Sequence, residues 1–334
     1  MFANIRKIQY ILVSTLLVIA ILLVMSAWWA YGQMHNKLAI DDHIILISPG
    51  SNNRQVAEIL VDHNIITAEW PFIVFSSLKG ETRKIKAGEY QISKGSSAAQ
   101  FLQMIVRGKV ISYPITLIEG WTYDEIIQLL DSMEHLVSDI SALTDQEVLK
   151  KIGSRRNHLE GIFFPDTYYS VRGETHSSVL MRAYAMMEKE LDKAWSLRFD
   201  RLPLKNQYDA LILASIIEKE TGQEEERAHI SGVLVNRLRQ KIPLQVDPTI
   251  IYSLGNTFDG DLRHQHLKLD GPYNTYLRRG LTPTPISNPG MKSLMAAVQP
   301  KWTEDLFFVS RGDGTHKFSK TLEEHRKAVD QYQK

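Results

Sequence analysis

Cysteine is absent from all 334 residues, which removes disulfides, thiolate metal sites, a cysteine nucleophile and a lipid-bearing cysteine. Net charge is nearly absent as well. Thirty-nine Lys and Arg against 38 Asp and Glu leave +1, so the chain lacks the basic footprint of a nucleic-acid binder, and no nucleic-acid partner is expected. No acidic tail is present. The familiar catalytic signatures are missing too: there is no G-x-S-x-G elbow and no H-E-x-x-H pair, and GDGTHKFSK is glycine-rich without opening a P-loop helix, so a hairpin turn is its expected role. His264 and His266 form an H-x-H pair near Asp247, Asp259 and Asp261. Alternating ligands need a strand to point the same way, whereas RHQH lies in a polar stretch, so no metal and no cofactor is expected.

What is present begins with a membrane span. Ile8 to Ala30 holds no charge and is long enough to cross a hydrocarbon core of about 30 Å at about 1.5 Å per residue. Arg6 and Lys7 precede it, and Trp28, Trp29 and Tyr31 follow where an interfacial aromatic belt lies. The positive-inside rule then puts the N-terminus in the cytoplasm and the rest outside. A cleavable signal is disfavoured by the length of the run and by Trp28, where a small residue would precede Ala30 at a cleavage site.

The remaining length suits two domains, and 44% hydrophobic with 23% charged residues is ordinary globular composition. Between Ile44 and Ile118 the pattern alternates strand, helix, helix, strand, helix, strand, with the second helix expected from about Pro71 and the third closed by Gly108. Helices are then expected over Tyr123 to Met133, Thr144 to Ile152, Thr175 to Arg198 and Ile230 to Arg239. LEGIFFPDTYYS is rich in large rings, either a core plug or a groove wall. Prolines concentrate between Pro243 and Pro289 in long loops of the kind that carry function, followed by a short strand, DLFFVSR, and a closing helix. The fold class is α+β.

The stretch most suited to chemistry is Asp209 to Gly222, DALILASIIEKETG, whose apolar residues encircle a helix and imply burial on all sides. Glu218 shares a face with Ala214 and Leu211, so burial is expected to raise its pKa toward that of a general acid. Gly222 is expected as a left-handed cap, and Glu220 lies about 200° round the helix from Glu218. The alternative is a helix-end glutamate bonded to an arginine or a backbone amide. One buried acid beside loop groups such as Asn236, Gln245, Thr249, Asn274 and Thr275 suits a neutral, hydroxyl-rich ligand. Ordinary glycosidases need two carboxylates, whereas one suffices if the substrate's own hydroxyl is the nucleophile. From the residues alone, an enzyme and a noncatalytic, anchored glycan-binding scaffold stand side by side.

The segments ASIIEKET, LEGIFFPDTY, VNRLRQKIPLQVDPTIIY, YNTYLRRGLTPTPISNPG and GDGTHKFSKTLEEH, spanning Leu159 to His325, resemble the membrane-anchored endolytic murein transglycosylases, the MltG or YceG-like family. The resemblance implies a single N-terminal transmembrane helix (residues 1–32, with the membrane met by 8–31), a small LysM-like module (43–118) and a larger, mainly helical catalytic domain with long functional loops (119–334). It implies a lytic transglycosylase of the inner (cytoplasmic) membrane with a periplasmic catalytic domain. Such an enzyme cleaves MurNAc–GlcNAc bonds within peptidoglycan glycan strands to leave 1,6-anhydro ends, and associates with peptidoglycan synthases, the penicillin-binding proteins. Glu218 is the implied acid/base. Gln245, Asp247, Thr249, Tyr252, Asn274, Thr275 and Tyr276, with Glu160, Asp166 and Tyr168 on the opposite wall and Glu220 and Asn236 nearby, are the implied binding or supporting residues. LTPTPI departs from the expected LPPGPI-like loop, placing Thr284 where a glycine would stand.

Overall fold

The computed structural model describes residues 2–38 and 41–333; Met1 and Lys334, the outer limits of the expected anchor and catalytic segments, lie outside them. The chain divides into two units, residues 1–113 and 114–334.

In the first unit, α1 (Phe2–His35) contains the one helix among the described residues, Arg6–His35, that is long and apolar enough to cross a membrane. Its last turn belongs to the unit's core, for Met34 is buried there. β1 (His43–Ile47) pairs antiparallel with β2 (Gly88–Ile92), His43 opposite Ile92 and Ile47 opposite Gly88. Between them α2 (Asn53–Asp62) starts on a capping box of Asn52 and Gln55, and α3 (Glu69–Leu78) starts two residues before Pro71. Proline in a first turn loses no helical hydrogen bond, so both starts were compatible with the sequence. α4 (Ala98–Arg107) has the Ser97–Gln100 capping box and ends, as expected, at Gly108 with φ 71°. Tyr90, Phe72, Phe101 and Ile45 fill the core beneath the strand pair, and the Tyr90 hydroxyl donates to the Lys86 carbonyl at 2.8 Å.

β3 (Tyr113–Thr116), expected to close the small module, instead forms a two-stranded sheet with β4 (Thr167–Ser170) of the second unit. The division therefore falls at Tyr113 and not at Ile118. α5 (Tyr123–Asp131) and α6 (Asp145–Lys151) start on capping boxes, Thr122–Glu125 and Thr144–Glu147. The long amphipathic α7 (His176–Ser196) precedes α8 (Gln207–Glu220), where Asn206 caps the first turn by accepting the Asp209 N–H at 3.0 Å. Every residue of α8 from Ala210 to Ile217 is at most 4% exposed, the all-round burial that its composition requires.

The end of α8 differs from expectation. Thr221 is extended (φ −148°, ψ 137°) and Gly222 keeps a negative φ, so an abrupt extended exit, and no left-handed glycine, stops the helix. α9 (Glu224–Gln240) follows almost at once and starts six residues earlier than Ile230, with Glu224, Glu225 and Glu226 in its first turn, where the helix dipole favours acids. α10 (Asp247–Leu254), with proline at its second position, and α11 (Met291–Val298) flank α8, and β5 (Phe307–Ser310) and β6 (His316–Ser319) form an antiparallel hairpin backed by α12 (Leu322–Tyr332).

Two hydrogen-bond systems hold the proline-rich loops against this core. The Ser215 hydroxyl accepts the Ile286 N–H at 3.0 Å while the Ser215 carbonyl accepts the Ser287 hydroxyl at 3.2 Å, so a buried serine in α8 serves as a loop tether. Thr284 is buried, shares a 2.7 Å hydrogen bond with the Tyr273 hydroxyl and keeps a negative φ, so this loop has no need of glycine there. Glycine is required at Gly161. Its φ is 78° and an added Cβ would lie 2.2 Å from Pro285 Cβ. Gly161→Ala is therefore expected to lower the stability of the second unit by about 2 kcal/mol or more, through strain and overpacking together. An unfolding midpoint in urea within error of wild type would contradict this.

Candidate functional site

Glu218 lies in the last turn of α8, but its carboxyl is not left among apolar neighbours. Oε1 accepts the Arg227 Nη2 at 3.0 Å and Oε2 accepts the Gly290 N–H at 2.9 Å, in a pair only 4% and 8% exposed at the side chains. Arg227 also donates through Nε to Ser293 at 3.1 Å. Glu218 thus joins α8 to α9 and to the residue that caps α11. The early start of α9 is the reason, since it brings Arg227 back across the end of α8. Glu119 completes the cluster: Gly290 has no room for a Cβ because the Glu119 carboxyl occupies that space, and burial and then Glu218 raise the Glu119 pKa above the ordinary carboxylate range. This is the ion-paired alternative named above.

Glu220, the last residue of α8, has the opposite surroundings. It forms one wall of a cleft of about 480 Å³ whose other walls include Gln245, Asp247, Tyr276, Arg237, His316 and the rings of Phe307 and Phe308. Among the described residues its carboxyl makes no hydrogen bond or ion pair. Burial, and then the Asp247 charge, push its pKa up to about 8. A carboxylic acid that holds its proton at neutral pH, stands unpartnered and faces a cleft is equipped to donate that proton.

The cleft is built stiffly around it. Arg237 lies over the Phe307 ring, 5.0 Å from its centroid, and donates to the Leu306, Pro243 and Leu244 carbonyls at 2.6, 3.0 and 2.8 Å. It also donates to Gln245 Oε1 at 3.1 Å. Gln245 adopts φ 54°, uncommon for a non-glycine residue, while its N–H donates to the Thr275 carbonyl at 3.0 Å. The Tyr276 hydroxyl donates to Asp247, and burial and then Asp247 hold that phenol above its ordinary range. His316 is clamped from behind by Glu226, which accepts its N–H at 2.9 Å and stands 2.7 Å from its Nδ1.

Glu160 and Tyr252 lie in a second cleft of about 950 Å³, with Tyr123, Asp124, Lys219 and Tyr273. Glu160 accepts the N–H groups of Tyr123 and Gly161, each at 3.1 Å, and bonds the Tyr252 hydroxyl; burial outweighs these and raises its pKa to about 7.

The remaining expected residues build loops. Thr249, Thr275 and Asn274 are buried: Thr275 Oγ1 accepts the Val246 N–H at 3.0 Å, Thr249 Oγ1 donates to the Val246 carbonyl at 2.7 Å, and Asn274 spans the Leu267 and Leu269 carbonyls. Asn236 ties α9 to the Thr303 carbonyl at 2.8 Å. Of the aromatic turn, Phe163 and Tyr168 are core residues and Asp166 lines neither cleft, so the rings are a core plug, and the segment reaches the larger cleft through Leu159 and Glu160. His266 Nδ1 accepts the Arg263 N–H, and no group of residues able to hold a metal occurs among the described residues. Glu119, Arg227, Arg237 and His316 were missed. Their partners lie on other elements, so no local spacing marks them.

A model of the YceG-like family matches residues 45–331. A relative from Bacillus subtilis (strain 168), named endolytic murein transglycosylase, is 32% identical over 305 residues, covering 86% of this chain and 84% of its own length. A protein of the same name from Streptococcus pneumoniae (strain ATCC BAA-255 / R6) is 26% identical over 321 residues, and the match takes in 57% of that longer relative. A YceG-like protein of Listeria monocytogenes, known from a crystal structure, superposes with a TM-score of 0.51 at 27% identity, over 86% of this chain and 98% of that one. Matched over most of its length, the chain belongs to the YceG-like family.

Proposed function

We propose that this chain is a membrane-anchored lytic transglycosylase that cuts peptidoglycan glycan strands internally at MurNAc–GlcNAc bonds, with Glu220, in place of Glu218, as its general acid and base. The observation that carries the proposal is the unpartnered Glu220 carboxyl, its pKa pushed up to about 8, on the wall of a cleft lined by an amide, hydroxyls and rings. The names of the relatives give the substrate class.

In this scheme Glu220 donates its proton to the glycosidic oxygen as the bond to C1 of N-acetylmuramic acid breaks. The C6 hydroxyl of the same sugar attacks C1 intramolecularly, closing the 1,6-anhydro bridge as the glycosidic bond leaves, and its proton passes to the Glu220 carboxylate, restoring the acid. No water is consumed. Asp247, held by Tyr276, keeps negative charge near Glu220 and so favours the protonated starting state. Phe308 offers ring surface to the apolar faces of sugars, while Phe307 is held between Arg237 and His325 as part of the cleft wall. α1 crosses the inner membrane with the N-terminus inside, and the enzyme works beside the synthases that extend the strands.

Full-length protein in detergent, incubated with purified peptidoglycan and its products weighed by mass spectrometry, tests the chemistry. Anhydro ends, one water lighter than hydrolytic ends, are expected. Reducing ends would mean hydrolysis with a second carboxylate, and glycan that is bound but uncut would make the protein a scaffold.

The pH dependence follows from the same carboxyl. Activity requires the protonated acid, so kcat/KM is expected to be level below about pH 8 and to fall roughly tenfold per unit above it. Stability moves the same way for a different reason. In the folded state Glu220 keeps its proton to about pH 8, whereas the unfolded chain releases it near the ordinary carboxyl value of 4.5, so this group's contribution to stability declines as pH rises from 4.5 through 8. A rate that instead rose through pH 8 would assign the acid elsewhere.

A further inference from the structure

α3 presents an apolar stripe that its own unit leaves uncovered. Trp70, Val74 and Leu78 recur every four residues on one helical face and are 41%, 46% and 83% exposed, while Pro71, Phe72 and Ser76 turn inward. The stripe starts at the end of the apolar run of α1. The Trp70 ring lies 5.8 Å from the Trp29 ring, and Gln33 accepts both the N–H and the hydroxyl of Thr67, at 3.0 and 3.1 Å. His35 stacks on Tyr31 at 4.0 Å and meets the edge of Phe75 at 5.4 Å. With Met34 buried in the same core, the last turn of α1 and the whole of α3 form one packed body, so no free linker separates the stripe from the aromatic end of the span. Immediately after Leu78 come four exposed cations, Lys79, Arg83, Lys84 and Lys86, against one acid, Glu81.

An exposed apolar face with aromatic residues at one end and basic residues at the other has the composition of an interfacial helix, whose rings and aliphatic groups enter the headgroup boundary while cations meet lipid phosphates. We propose that the outward face of α3 rests in the surface of the bilayer that α1 crosses, giving the first unit two points of membrane contact and fixing its orientation on the membrane. The proposal rests on the reading of α1 as a membrane span. The occupant is lipid and not a partner protein, because the stripe is continuous through the Trp29–Trp70 contact with the lipid-facing end of α1.

The absence of cysteine makes the test direct. Full-length protein carrying Val74→Cys or Leu78→Cys, each replacing an exposed side chain, is spin-labelled and reconstituted in phospholipid vesicles. Collisions with oxygen, which partitions into lipid, are compared with collisions with a water-soluble nickel chelate. Ile19→Cys in α1 and Glu58→Cys on the exposed side of α2 serve as lipid and water references. The oxygen-to-nickel ratio at residues 74 and 78 is expected to exceed that at residue 58 by about threefold or more, approaching that at residue 19. Ratios at 74 and 78 equal to that at 58, with residue 19 in lipid, overturn the α3 proposal and leave the span standing. A water-like ratio at residue 19 overturns the span and the proposal with it, and low collision rates with both reagents at 74 and 78 assign the stripe to a protein partner.

Discussion

Glu220→Gln is expected to abolish glycan cleavage, with kcat/KM falling by about a thousandfold, the middle of the range for losing a positioned general acid. The amide keeps the shape of the side chain but has no proton to donate at neutral pH. The same variant is expected to unfold at higher urea than wild type near pH 8, because it removes a carboxyl whose ionised form is penalised by burial and by Asp247. Loss of activity with gain of stability is the signature of a group kept in an unfavourable place for its chemistry. Glu218→Gln should give the reverse: a lower unfolding midpoint, and a turnover per folded molecule within about tenfold of wild type, since its carboxyl is engaged by Arg227 and Gly290. Measuring both variants for anhydro products and for urea midpoint decides between the two glutamates. If Glu218→Gln stops turnover in folded protein while Glu220→Gln does not, Glu218 and not Glu220 is the acid.

Arg227→Ala is expected to destabilise the second unit by about 3–5 kcal/mol, the cost of leaving a buried carboxylate without its cation. Both side chains are less than a tenth exposed, so water cannot take the place of the guanidinium. The remaining donor to Glu218, the Gly290 N–H, is a single neutral dipole, and Ser293 loses its partner as well. Truncating both ends of the pair should cost less than the sum of the single changes, with a coupling of about 1–3 kcal/mol in a double-mutant cycle. Additive losses would show that Glu218 and Arg227 act independently, and a cost below about 1 kcal/mol for Arg227→Ala would show that this ion pair does not hold α8 to α9.

The sequence made the long apolar helix α1, the other helices and the burial of α8 legible because each depends on local periodicity: an uncharged run for α1, apolar residues on every face for Ala210 to Ile217, and Ser, Thr or Asn caps followed by Gln or Glu at four of the helices as far as Lys151. The angular separation of Glu218 and Glu220 was legible for the same reason. Which of the two met solvent was not. That depended on how Thr221 leaves the helix and where α9 then runs, and the sequence fixes neither within a window of local spacing. Depth in an apolar run therefore pointed to Glu218, while tertiary packing supplied it with Arg227 and left Glu220 facing the cleft. Thr249, Asn274 and Thr275 show a related limit: hydroxyl and amide groups in a loop suit a ligand and suit the loop's own backbone equally, and here the backbone takes them.

Lys219 and Glu220 are neighbours in sequence, yet each faces a different cleft, and α10 stands between the two as a party wall: Asp247 belongs to one side, Pro248, Ile251 and Tyr252 to the other. Substitutions there are consequently pleiotropic. A change at Ile251 selected for its effect in the larger cleft shifts the helix whose first residue sets the charge beside Glu220, so a screen for altered ligand preference at one groove will return clones whose pH profile has moved at the other.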